Sequence, residues 1–496
     1  MAAGDSTETD VLVIGGGPGG YAAAIRAGQL GLDVALVEMD AYGGACLNRG
    51  CIPSKALLSA TRLAHEAGAA AEMGVHADPE VDAGEMTDWK DGVVDRLTSG
   101  VEKLCLGNGV DLIEGRAAFV GDHRARVHGE DGSERATIDF GYAIVATGSR
   151  PIEVPGFPFD ADPVLDSDAA LSVDEAPDSL AVIGAGYVGM ELSTVFARMG
   201  TDVTVIEALD AALPAYPDDL TQPVRERLAD LGVTFRFGEA ASEWRETGER
   251  TGDDGRIVVE TETEDGETRE YPAESVLVAV GREPVTGTLN LDAVGLEPTD
   301  AGFLETDEQA RTDREHVFAV GDVAGEPMLA HKASAEGEVA AETSAAEIGD
   351  GSSAAEIGGG SDPDERPSLE SRAIPAAVFT DPEIGTVGLT EEEASGAGFD
   401  PVVGEFPLRA SGRALTLGET DGFVRIVGDA DSGVVLGGQA VAPEASELIA
   451  EVGLAVETGA TLADVAGTVH THPTLSESTM GAAKNALEAA IHTLNR

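Results

Sequence analysis

Two of the three cysteines of the chain, Cys46 and Cys51, lie five residues apart in the segment GGACLNRGCIPSK at 43–55. A thiol at the start of a helix has a lowered pKa, so this position favours a reactive thiolate. A metal site is the main alternative, but no second cysteine pair or histidine cluster completes four ligands. Two inert buried cysteines are the other alternative, and that interpretation suits the isolated Cys105 better.

A second candidate for chemistry lies near the C-terminus, in the segment HTHPTLSES at 470–478. The backbone before Pro473 is restricted, so a rigid turn can aim the side chain of His472. Glu477 is close enough in the chain to hold one ring nitrogen and leave the other as a base. Alone this motif is weak, because a histidine before proline is more often structural.

Two segments with the same strand–glycine turn–helix–strand pattern can form the domains that position the cysteines and His472. VLVIGGGPGG at 11–20 and LAVIGAGYVG at 180–189 each precede a helix and a strand that ends in an acid. This context is what the GxGxxG motif requires, since its glycines allow a tight turn and a close approach to a pyrophosphate at the helix start. The corresponding residues are Gly15, Gly17, Gly20 and Glu38 in the first unit, and Gly184, Gly186, Gly189 and Glu207 in the second.

The acid that ends each unit can accept hydrogen bonds from ribose hydroxyls. Glu207 would also repel a 2′-phosphate, and the residues ALDAAL after it include no arginine that could bind one. NAD is therefore favoured over NADP as the nucleotide of the second unit. An unrelated α/β protein with glycine-rich turns is the alternative, and the paired occurrence of the motif argues against it.

The remaining segments indicate further domains. Two apolar strands that end in glycine turns, YAIVATGSRP at 142–151 and SVLVAVGREP at 275–284, indicate crossings out of the nucleotide units. A helix is predicted over about 329–343, and an acidic low-complexity loop without aromatic residues is predicted at 344–371. Apolar helical spacing returns in ASELIAEVGLAVETG at 445–459 and indicates a separate C-terminal domain.

The charge of the chain is strongly unbalanced, because 91 acidic residues against 31 basic ones give a net charge of −60. Such a surface repels phosphate backbones, so nucleic acid is not an expected partner. The acidic residues are spread along the whole chain. This distribution favours adaptation to molar salt, where a Debye length of roughly 3 Å screens the self-repulsion.

The sequence also favours a cytoplasmic location. No apolar run is long enough to span a membrane. The first ten residues are polar and acidic and do not have the features of a signal peptide. Three cysteines in so long a chain argue against a secreted disulfide framework.

Together these motifs resemble those of the pyridine nucleotide–disulfide oxidoreductase family from about Asp10 to the C-terminus, apart from the loop at 344–371. The segments AVGD and MLAHKA complete the set, and all of them occur in the family's order. The resemblance implies an α/β fold with two Rossmann-like dinucleotide-binding domains and a C-terminal α+β dimerisation domain. The implied division is an FAD domain at 1–150, an NAD domain at 151–280, a central domain completing the FAD site at 281–343, the acidic loop at 344–371 and the dimerisation domain at 372–496.

The resemblance also implies roles for individual residues. His472 would serve the cysteines of the other subunit of a homodimer. The catalytic roles implied are those of Cys46 (interchange thiol), Cys51 (thiol against the flavin), Lys55 and Glu191 (an ion pair beside flavin N5), and His472 and Glu477 (a base and its orienting acid). The FAD contacts implied are Gly15, Gly17, Gly20, Glu38, Lys55, Ala117, Gly148, Asp322 and Ala330, and the NAD contacts are Gly184, Gly186, Gly189, Glu207 and Gly281.

The activity implied is oxidation of protein-bound dihydrolipoamide to lipoamide with NAD+ as acceptor, through FAD and a Cys46–Cys51 redox disulfide. The implied partner is the lipoyl-carrier domain of a 2-oxoacid dehydrogenase or of a glycine-cleavage system. An NAD(P)H-dependent reductase of a low-molecular-weight disulfide is the alternative. A non-enzymatic nucleotide-binding scaffold would lack a reacting group, and all the implied groups are present.

Two residues depart from the family's pattern around the cysteines. Ala45 stands where a threonine is usual, and Arg49 stands where a valine is usual. The first change removes a hydroxyl near the flavin, and the second either lowers a thiol pKa or points outward. Both leave the redox potential open, and neither removes a reacting group.

Overall fold

The computed structural model of the chain describes residues 6–247, 256–349, 368 and 373–494. Two sheets with parallel cores precede a five-stranded antiparallel sheet along these residues. The predicted α/β fold, with two dinucleotide-binding units and a C-terminal α+β domain, is therefore confirmed.

The first domain has a parallel sheet with an antiparallel extension. Its elements are β1 (Thr7–Ile14), α1 (Pro18–Gln29), β2 (Val34–Glu38), α2 (Gly44–Arg49), α3 (Cys51–Ala69), α4 (Ala83–Gly107), β3 (Val110–Glu114), β4 (Arg116–Gly121), β5 (Arg124–His128) and β6 (Glu134–Val145). Strands β3, β2, β1 and β6 run parallel in that order, and β5 and β4 continue the sheet antiparallel. The apolar runs of β1 and β2 are buried because one face packs against α1, α4 and the helix Ala330–Ile348 and the other against β4, β5 and the segment 289–304.

The second domain repeats the strand–loop–helix–strand unit. Its elements are β7 (Ser149–Pro151), β8 (Val164–Leu165), α5 (Ser167–Ala170), β9 (Ser179–Ile183), α6 (Tyr187–Arg198), β10 (Asp202–Glu207), α7 (Asp218–Asp230), β11 (Thr234–Phe237), β12 (Glu239–Glu246), β13 (Ile257–Thr263), β14 (Thr268–Ala273), β15 (Ser275–Val278) and β16 (Arg282–Pro284). The parallel sheet has the order β11-β10-β9-β15-β8, and β12, β13 and β14 form a separate antiparallel sheet. Strands β7 and β16 pair with each other where the chain enters and leaves this domain.

The segment after β16 returns to the first domain. Its elements are β17 (Val317–Ala319) and α8 (Ala330–Ile348). Strand β17 joins the first sheet beside β6, and Leu289, Leu291 and Val294 share a core with β4 and β6. The segment predicted as a central domain is therefore continuous with the core of the first domain.

Helix α8 is longer than the sequence predicts, since it ends at Ile348 and not near Thr343. Ser344 is buried and its hydroxyl donates to the carbonyl of Ala340, while Glu347 pairs with Arg311. These contacts and the helix-favouring alanines continue the helix into the predicted loop. Of the predicted loop at 344–371, residues 350–367 and 369–371 lie outside the described residues.

The C-terminal domain has one antiparallel sheet covered by helices. Its elements are β18 (Ala376–Val378), β19 (Glu383–Gly388), α9 (Glu391–Gly396), β20 (Pro401–Pro407), α10 (Gly412–Leu417), β21 (Phe423–Asp429), β22 (Val435–Ala442), α11 (Ala445–Thr458), α12 (Leu462–Gly467) and α13 (Glu477–Ala486). The sheet order is β18-β19-β22-β21-β20. Among the described residues, no helix is both long enough and apolar enough to cross a membrane.

Candidate functional site

The first and third glycines of each nucleotide loop are required by the packing of the chain itself. A Cβ atom on Gly15 would lie 2.3 Å from the carbonyl oxygen of Ala146, and one on Gly20 would lie 1.8 Å from that of Gly15. Gly15 also has a φ of +105°, which favours glycine. In the second loop the same atoms would lie 2.6 Å (Gly184 to Ala279) and 2.1 Å (Gly189 to Gly184) from a carbonyl oxygen.

The middle glycines, Gly17 and Gly186, are not required by such packing. A Cβ atom on Gly17 would meet only the Cα of Gly44, at 3.8 Å, and one on Gly186 would meet no described atom within 4 Å. Both residues directly precede a helix, α1 or α6, that has no side-chain N-cap. The free N–H groups of each helix start therefore face a space that suits a pyrophosphate and that a methyl group would fill.

Glu38 and Glu207 hold the two loops in the same way. The Oε2 atom of Glu38 accepts a hydrogen bond from the N–H of Gly16 at 2.6 Å, and that of Glu207 accepts one from the N–H of Ala185 at 2.8 Å. The other oxygen of each carboxylate accepts from a backbone N–H two residues further along the chain. Both acids therefore fix their glycine turns, in addition to the ribose contacts that the sequence predicts.

The two thiols differ in their readiness to ionise. Cys46 is half-buried in α2, and Cys51 is exposed at the first position of α3. The hydrogen bond from the Cys46 thiol lowers the pKa of Cys51 to about 7, and the ammonium of Lys55 acts in the same direction against partial desolvation by the surrounding protein. The same hydrogen bond, together with burial, raises the pKa of Cys46. Cys51 is therefore the sulfur that becomes a thiolate, and Cys46 is the one that keeps its proton.

Lys55 is held at a fixed point beside the thiols. Its Nζ atom lies 2.8 Å from Oε2 of Glu191 and 4.4 Å from the centre of the Phe379 ring. Glu191 is buried in α6, and its Oε1 atom accepts a hydrogen bond from the N–H of Phe379 at 3.0 Å. At the other end of α6, the buried Arg198 pairs with Asp381. The segment that carries Phe379, which the sequence does not identify as part of the site, is thus tied to α6 at two points.

Asp322 and Ala330 lie on the segment that packs against the start of α1. A Cβ atom on Gly19 in α1 would lie 2.9 Å from the side chain of Val320, which shows how closely the two segments approach. Asp322 accepts a hydrogen bond from the hydroxyl of Ser149. Ala330 is the first residue of α8. Both predicted residues therefore lie on the segment that packs against α1, and Asp322 contacts Ser149 at the crossing out of the first domain.

Gly148 and Gly281 lie at the two crossings between the nucleotide domains. Both have a positive φ, of +67° and +141°. Arg282, next to Gly281, donates 2.7 Å hydrogen bonds to the hydroxyl and the carbonyl oxygen of Ser149. Ala117 is buried in β4, at the edge of the first sheet. These predicted residues are thus spread around the first domain and the seam with the second.

His472 and Glu477 form a pair on the C-terminal domain. The Nδ1 atom of His472 lies 3.0 and 3.2 Å from the two carboxylate oxygens of Glu477, and the His472 side chain is 78% exposed. The N–H of Thr474 also donates to Glu477, and this hydrogen bond and the imidazole lower the pKa of that carboxyl despite its desolvation. Nε2 of His472 therefore faces outward, and within the described residues of one chain no hydrogen bond joins it to Cys46 or Cys51.

A second histidine–glutamate pair, His470 with Glu451, joins the chain just before His472 to α11. The Nε2 atom of His470 lies 2.9 Å from both carboxylate oxygens of Glu451, and its Nδ1 atom lies 3.1 Å from the carbonyl oxygen of Thr468. The His470 side chain is only 6% exposed. In the sequence, the motif HTHP shows that a second histidine lies two residues before His472. Nothing near this motif in the chain points to Glu451 on α11.

Of the two departures from the family pattern, Arg49 and Ala45, only the first has a clear contact in the structure. Arg49 forms an ion pair with Asp40, so its guanidinium is directed toward the end of β2. Asp40 in turn donates its N–H to Glu38. Nothing in the structure explains Ala45.

Similarity to known protein families covers most of the chain. Residues 9–337 match the pyridine nucleotide-disulphide oxidoreductase family, and residues 374–483 match the dimerisation domain of pyridine nucleotide-disulphide oxidoreductases. Similar curated proteins include the dihydrolipoyl dehydrogenases of Halobacterium salinarum, 64% identical, and Haloferax volcanii, 58% identical, each over all of both chains. Since both relatives come from halophilic archaea, the prediction of a salt-adapted source is supported.

Two solved structures resemble the chain over nearly its whole length. LpdA from Mycobacterium tuberculosis is 29% identical with a TM-score of 0.84, covering 96% of this chain and 99% of that one. The HOCl-induced flavoprotein disulfide reductase RclA from Escherichia coli is 25% identical with a TM-score of 0.80, covering 96% and 99%. The chain therefore shares its fold with a solved flavoprotein disulfide reductase.

Proposed function

Because the chain belongs to the pyridine nucleotide-disulphide oxidoreductase family, we propose that it is a dihydrolipoyl dehydrogenase that uses FAD and NAD+. The observation that carries this proposal is the pairing of unequal thiols next to a partly buried ion pair. Cys51 has a pKa lowered to about 7 by Cys46, and Lys55 is fixed beside it by Glu191. Such an arrangement suits a dithiol relay and has no role in a simple nucleotide-binding scaffold.

The reaction begins with the Cys46–Cys51 pair oxidised to a disulfide. Nε2 of His472 takes the proton of one substrate thiol, while Glu477 holds Nδ1 and stabilises the imidazolium that forms. The substrate thiolate attacks Sγ of Cys46, so the Cys46–Cys51 bond breaks and Cys51 leaves as a thiolate. The second substrate sulfur then attacks the substrate sulfur of the mixed disulfide and releases Cys46. The proton of this second thiol passes to Sγ of Cys46, and the first proton remains on His472 as the counterpart of the Cys51 thiolate. The substrate has lost two electrons, and the cysteine pair has gained them.

The residues of the first loop fit a flavin dinucleotide. The α1 N-terminus and Gly17 would hold the pyrophosphate, and Glu38 would hold the ribose. Lys55 would place its charge beside the isoalloxazine, and Asp322, Ala330, Gly148 and Ala117 would complete the contacts. FAD, when bound there, supplies the two-electron carrier between the Cys51 thiolate and the nicotinamide.

The second loop fits NAD for a parallel reason. The α6 N-terminus and Gly186 would hold its pyrophosphate, with Gly281 at the far crossing. The carboxylate of Glu207 would repel a 2′-phosphate, which supports NAD over NADP.

The active site is proposed to be shared by the two subunits of a homodimer. His472 is exposed and has no hydrogen bond to the thiols within the described part of its own chain. The C-terminal domain matches a dimerisation domain, which would bring it to the partner's thiols. The substrate proposed is dihydrolipoamide on the lipoyl-carrier domain of a 2-oxoacid dehydrogenase or glycine-cleavage system. The cytoplasmic location remains a prediction from the sequence.

The decisive experiment compares substrates at molar salt with purified, flavin-loaded enzyme. We expect turnover of dihydrolipoamide with NAD+, little with NADP+, and slow reduction of low-molecular-weight disulfides by NADH or NADPH. A Cys51→Ser variant that retains its flavin should have no measurable turnover, because the relay has lost its leaving thiolate. If small disulfides are reduced faster than dihydrolipoamide is oxidised, the alternative disulfide reductase replaces this proposal.

A further inference from the structure

Cations are scarce in this chain, and most of those in its described part are held by carboxylates. Only 31 basic residues face 91 acidic ones. Typical pairs are Arg26 with Glu342 and Arg227 with Glu419, and even the exposed Arg124 binds Asp139. Basic side chains without such a partner are therefore a minority among the described residues.

One small region contains three basic residues, Arg409, Arg413 and Lys484. None of the three has a carboxylate partner among residues 6–247, 256–349, 368 and 373–494. Arg409 and Arg413 are exposed, and Lys484 is partly exposed. Their side-chain contacts are weak, since Arg413 lies 3.5 Å from the hydroxyl of Thr416 and Lys484 lies 3.4 Å from the sulfur of Met480. The remaining cations without a carboxylate partner lie in the first two domains and their crossing.

This basic surface adjoins the histidine of the proposed active site. A small cavity of about 110 Å³ is lined by His472, Glu477, Lys484 and the segment 410–412. Arg409 and Arg413 flank that segment on either side, and Lys484 lies on α13, the helix that begins with Glu477. The hydroxyl of Ser411 caps α10 and so fixes the backbone at Arg413. Lys484 thus lines the cavity beside His472, and the two arginines lie next to the segment that lines it, with side chains free to meet a partner.

We propose that Arg409, Arg413 and Lys484 form a docking surface for the acidic carrier protein that presents the dithiol to His472. This inference rests on the proposed function and adds the chemistry of the partner. A partner surface rich in carboxylates is repelled by most of a chain of net charge −60, so free cations mark where it can approach. Leu415, 61% exposed next to the same segment, adds an apolar contact.

Salt limits how these cations act. At molar salt the Debye length is roughly 3 Å, so only direct ion pairs contribute and long-range attraction is screened. The docking surface would therefore act at contact distance and select the orientation of the carrier. Its contribution should weaken as salt rises further, which gives a signature that a purely apolar contact lacks.

The test uses the flavin-loaded full-length enzyme and a triple variant, Arg409→Gln with Arg413→Gln and Lys484→Gln. Two substrates are compared, free dihydrolipoamide and a recombinant acidic lipoyl domain carrying the reduced cofactor. We expect the KM for the domain to rise about tenfold, with kcat and the KM for free dihydrolipoamide unchanged, since three exposed ion pairs are lost. The dependence of the domain's KM on salt should also become shallower.

The control is Arg135→Gln, which removes one positive charge from an exposed arginine on the β5–β6 hairpin of the first domain, far from His472 in the chain. It should leave both KM values as in the wild type. An unchanged KM for the domain in the triple variant, with normal turnover of free dihydrolipoamide, would overturn the docking surface alone. Dissociation of the triple variant's dimer in light scattering would overturn it too, by identifying the surface as a subunit contact. Failure of the wild type to oxidise free dihydrolipoamide would instead refute the proposed function.

Discussion

The two nucleotide-binding units have the same glycines and acids in the same places, yet they differ in what covers them. In the first unit, α8 crosses α1 so closely that a Cβ atom on Gly337 would lie 2.3 Å from the carbonyl oxygen of Gly19. A Cβ atom on Gly44, at the start of the redox segment, would lie 2.5 Å from the Cα of Gly17. In the second unit, a Cβ atom on Gly186 would meet no described atom within 4 Å.

This difference teaches that one loop design can serve two kinds of cofactor. The local turn recognises a pyrophosphate in both units, because the helix starts and the glycine positions are the same. The covered loop suits a flavin that stays bound, and the open loop suits a nicotinamide dinucleotide that must leave after each turnover. The distinction comes from segments far away in the chain and not from the motif.

The largest effect should come from Gly17→Ala. The structure leaves room for this methyl group in the absence of flavin, so the protein should fold, but the methyl would occupy the space of the pyrophosphate. Overpacking costs about 1–3 kcal/mol, so flavin affinity should fall about 5- to 150-fold and turnover should fall with it. Flavin absorbance per protein and circular dichroism check this. The counterpart Gly186→Ala should retain its flavin and show only a raised KM for NAD+. A Gly17→Ala enzyme with full flavin content would contradict the proposed difference between the two loops.

Gly337→Ala tests whether the packing of α8 over the first loop, and not the loop itself, keeps the flavin bound. Its methyl group would clash with Gly19 and push α8 away from α1, at a cost of about 1–3 kcal/mol of stability. We expect a lower Tm and faster flavin loss, with the KM for NAD+ unchanged. Gly92→Ala is the matched control, because Gly92 also lies within a helix but its Cβ atom would meet nothing within 4 Å. That control should be neutral or stabilising, and equal behaviour of the two variants would contradict the covering role of α8.

Glu207→Gln tests the acid of the open unit. The carboxylate accepts two backbone N–H groups, and an amide can satisfy only one of them with its oxygen. Loss of one such hydrogen bond costs about 1–3 kcal/mol, so the KM for NAD+ should rise at least about fivefold and the preference over NADP+ should shrink. Flavin content should not change. A variant that loses its flavin would show that the two units are not independent.

The smallest effect concerns pH and only the first unit, which alone carries thiols. The pKa of Cys51 is lowered to about 7, so its thiolate is present above this pH and is lost as the pH falls through it. We expect the long-wavelength charge-transfer absorbance of the two-electron-reduced enzyme to disappear with a midpoint near pH 7. In Cys46→Ala, whose Cys51 thiolate can face the oxidised flavin without prior reduction, the midpoint should move upward, because alanine donates no hydrogen bond to the thiolate. A midpoint that is the same in both proteins would refute the role of Cys46.

The sequence predicts what is local and misses what depends on distant segments. The glycine units, the cysteine pair and the His472–Glu477 contact lie within short stretches, so spacing alone brings their atoms together. The end of α8 was predicted too early, since the burial of Ser344 has no signature in a run of small residues. Phe379 and Glu451 were missed because their contacts, with Glu191 and His470, join elements that only the tertiary fold makes adjacent. The roles of the site residues remain predictions.

Helix α6 carries one further consequence. It begins directly after Gly186 of the NAD loop and bears Glu191, which holds Lys55. Each helical residue adds about 1.5 Å of rise and about 100° of rotation, so the number of residues between these two points sets both their separation and their angle. A single inserted residue would leave every named side chain in the sequence and still turn the carboxylate away from Lys55. Over this stretch, chain length is itself under functional constraint, and natural relatives should vary in residue type here, apart from Gly189, but not in residue count.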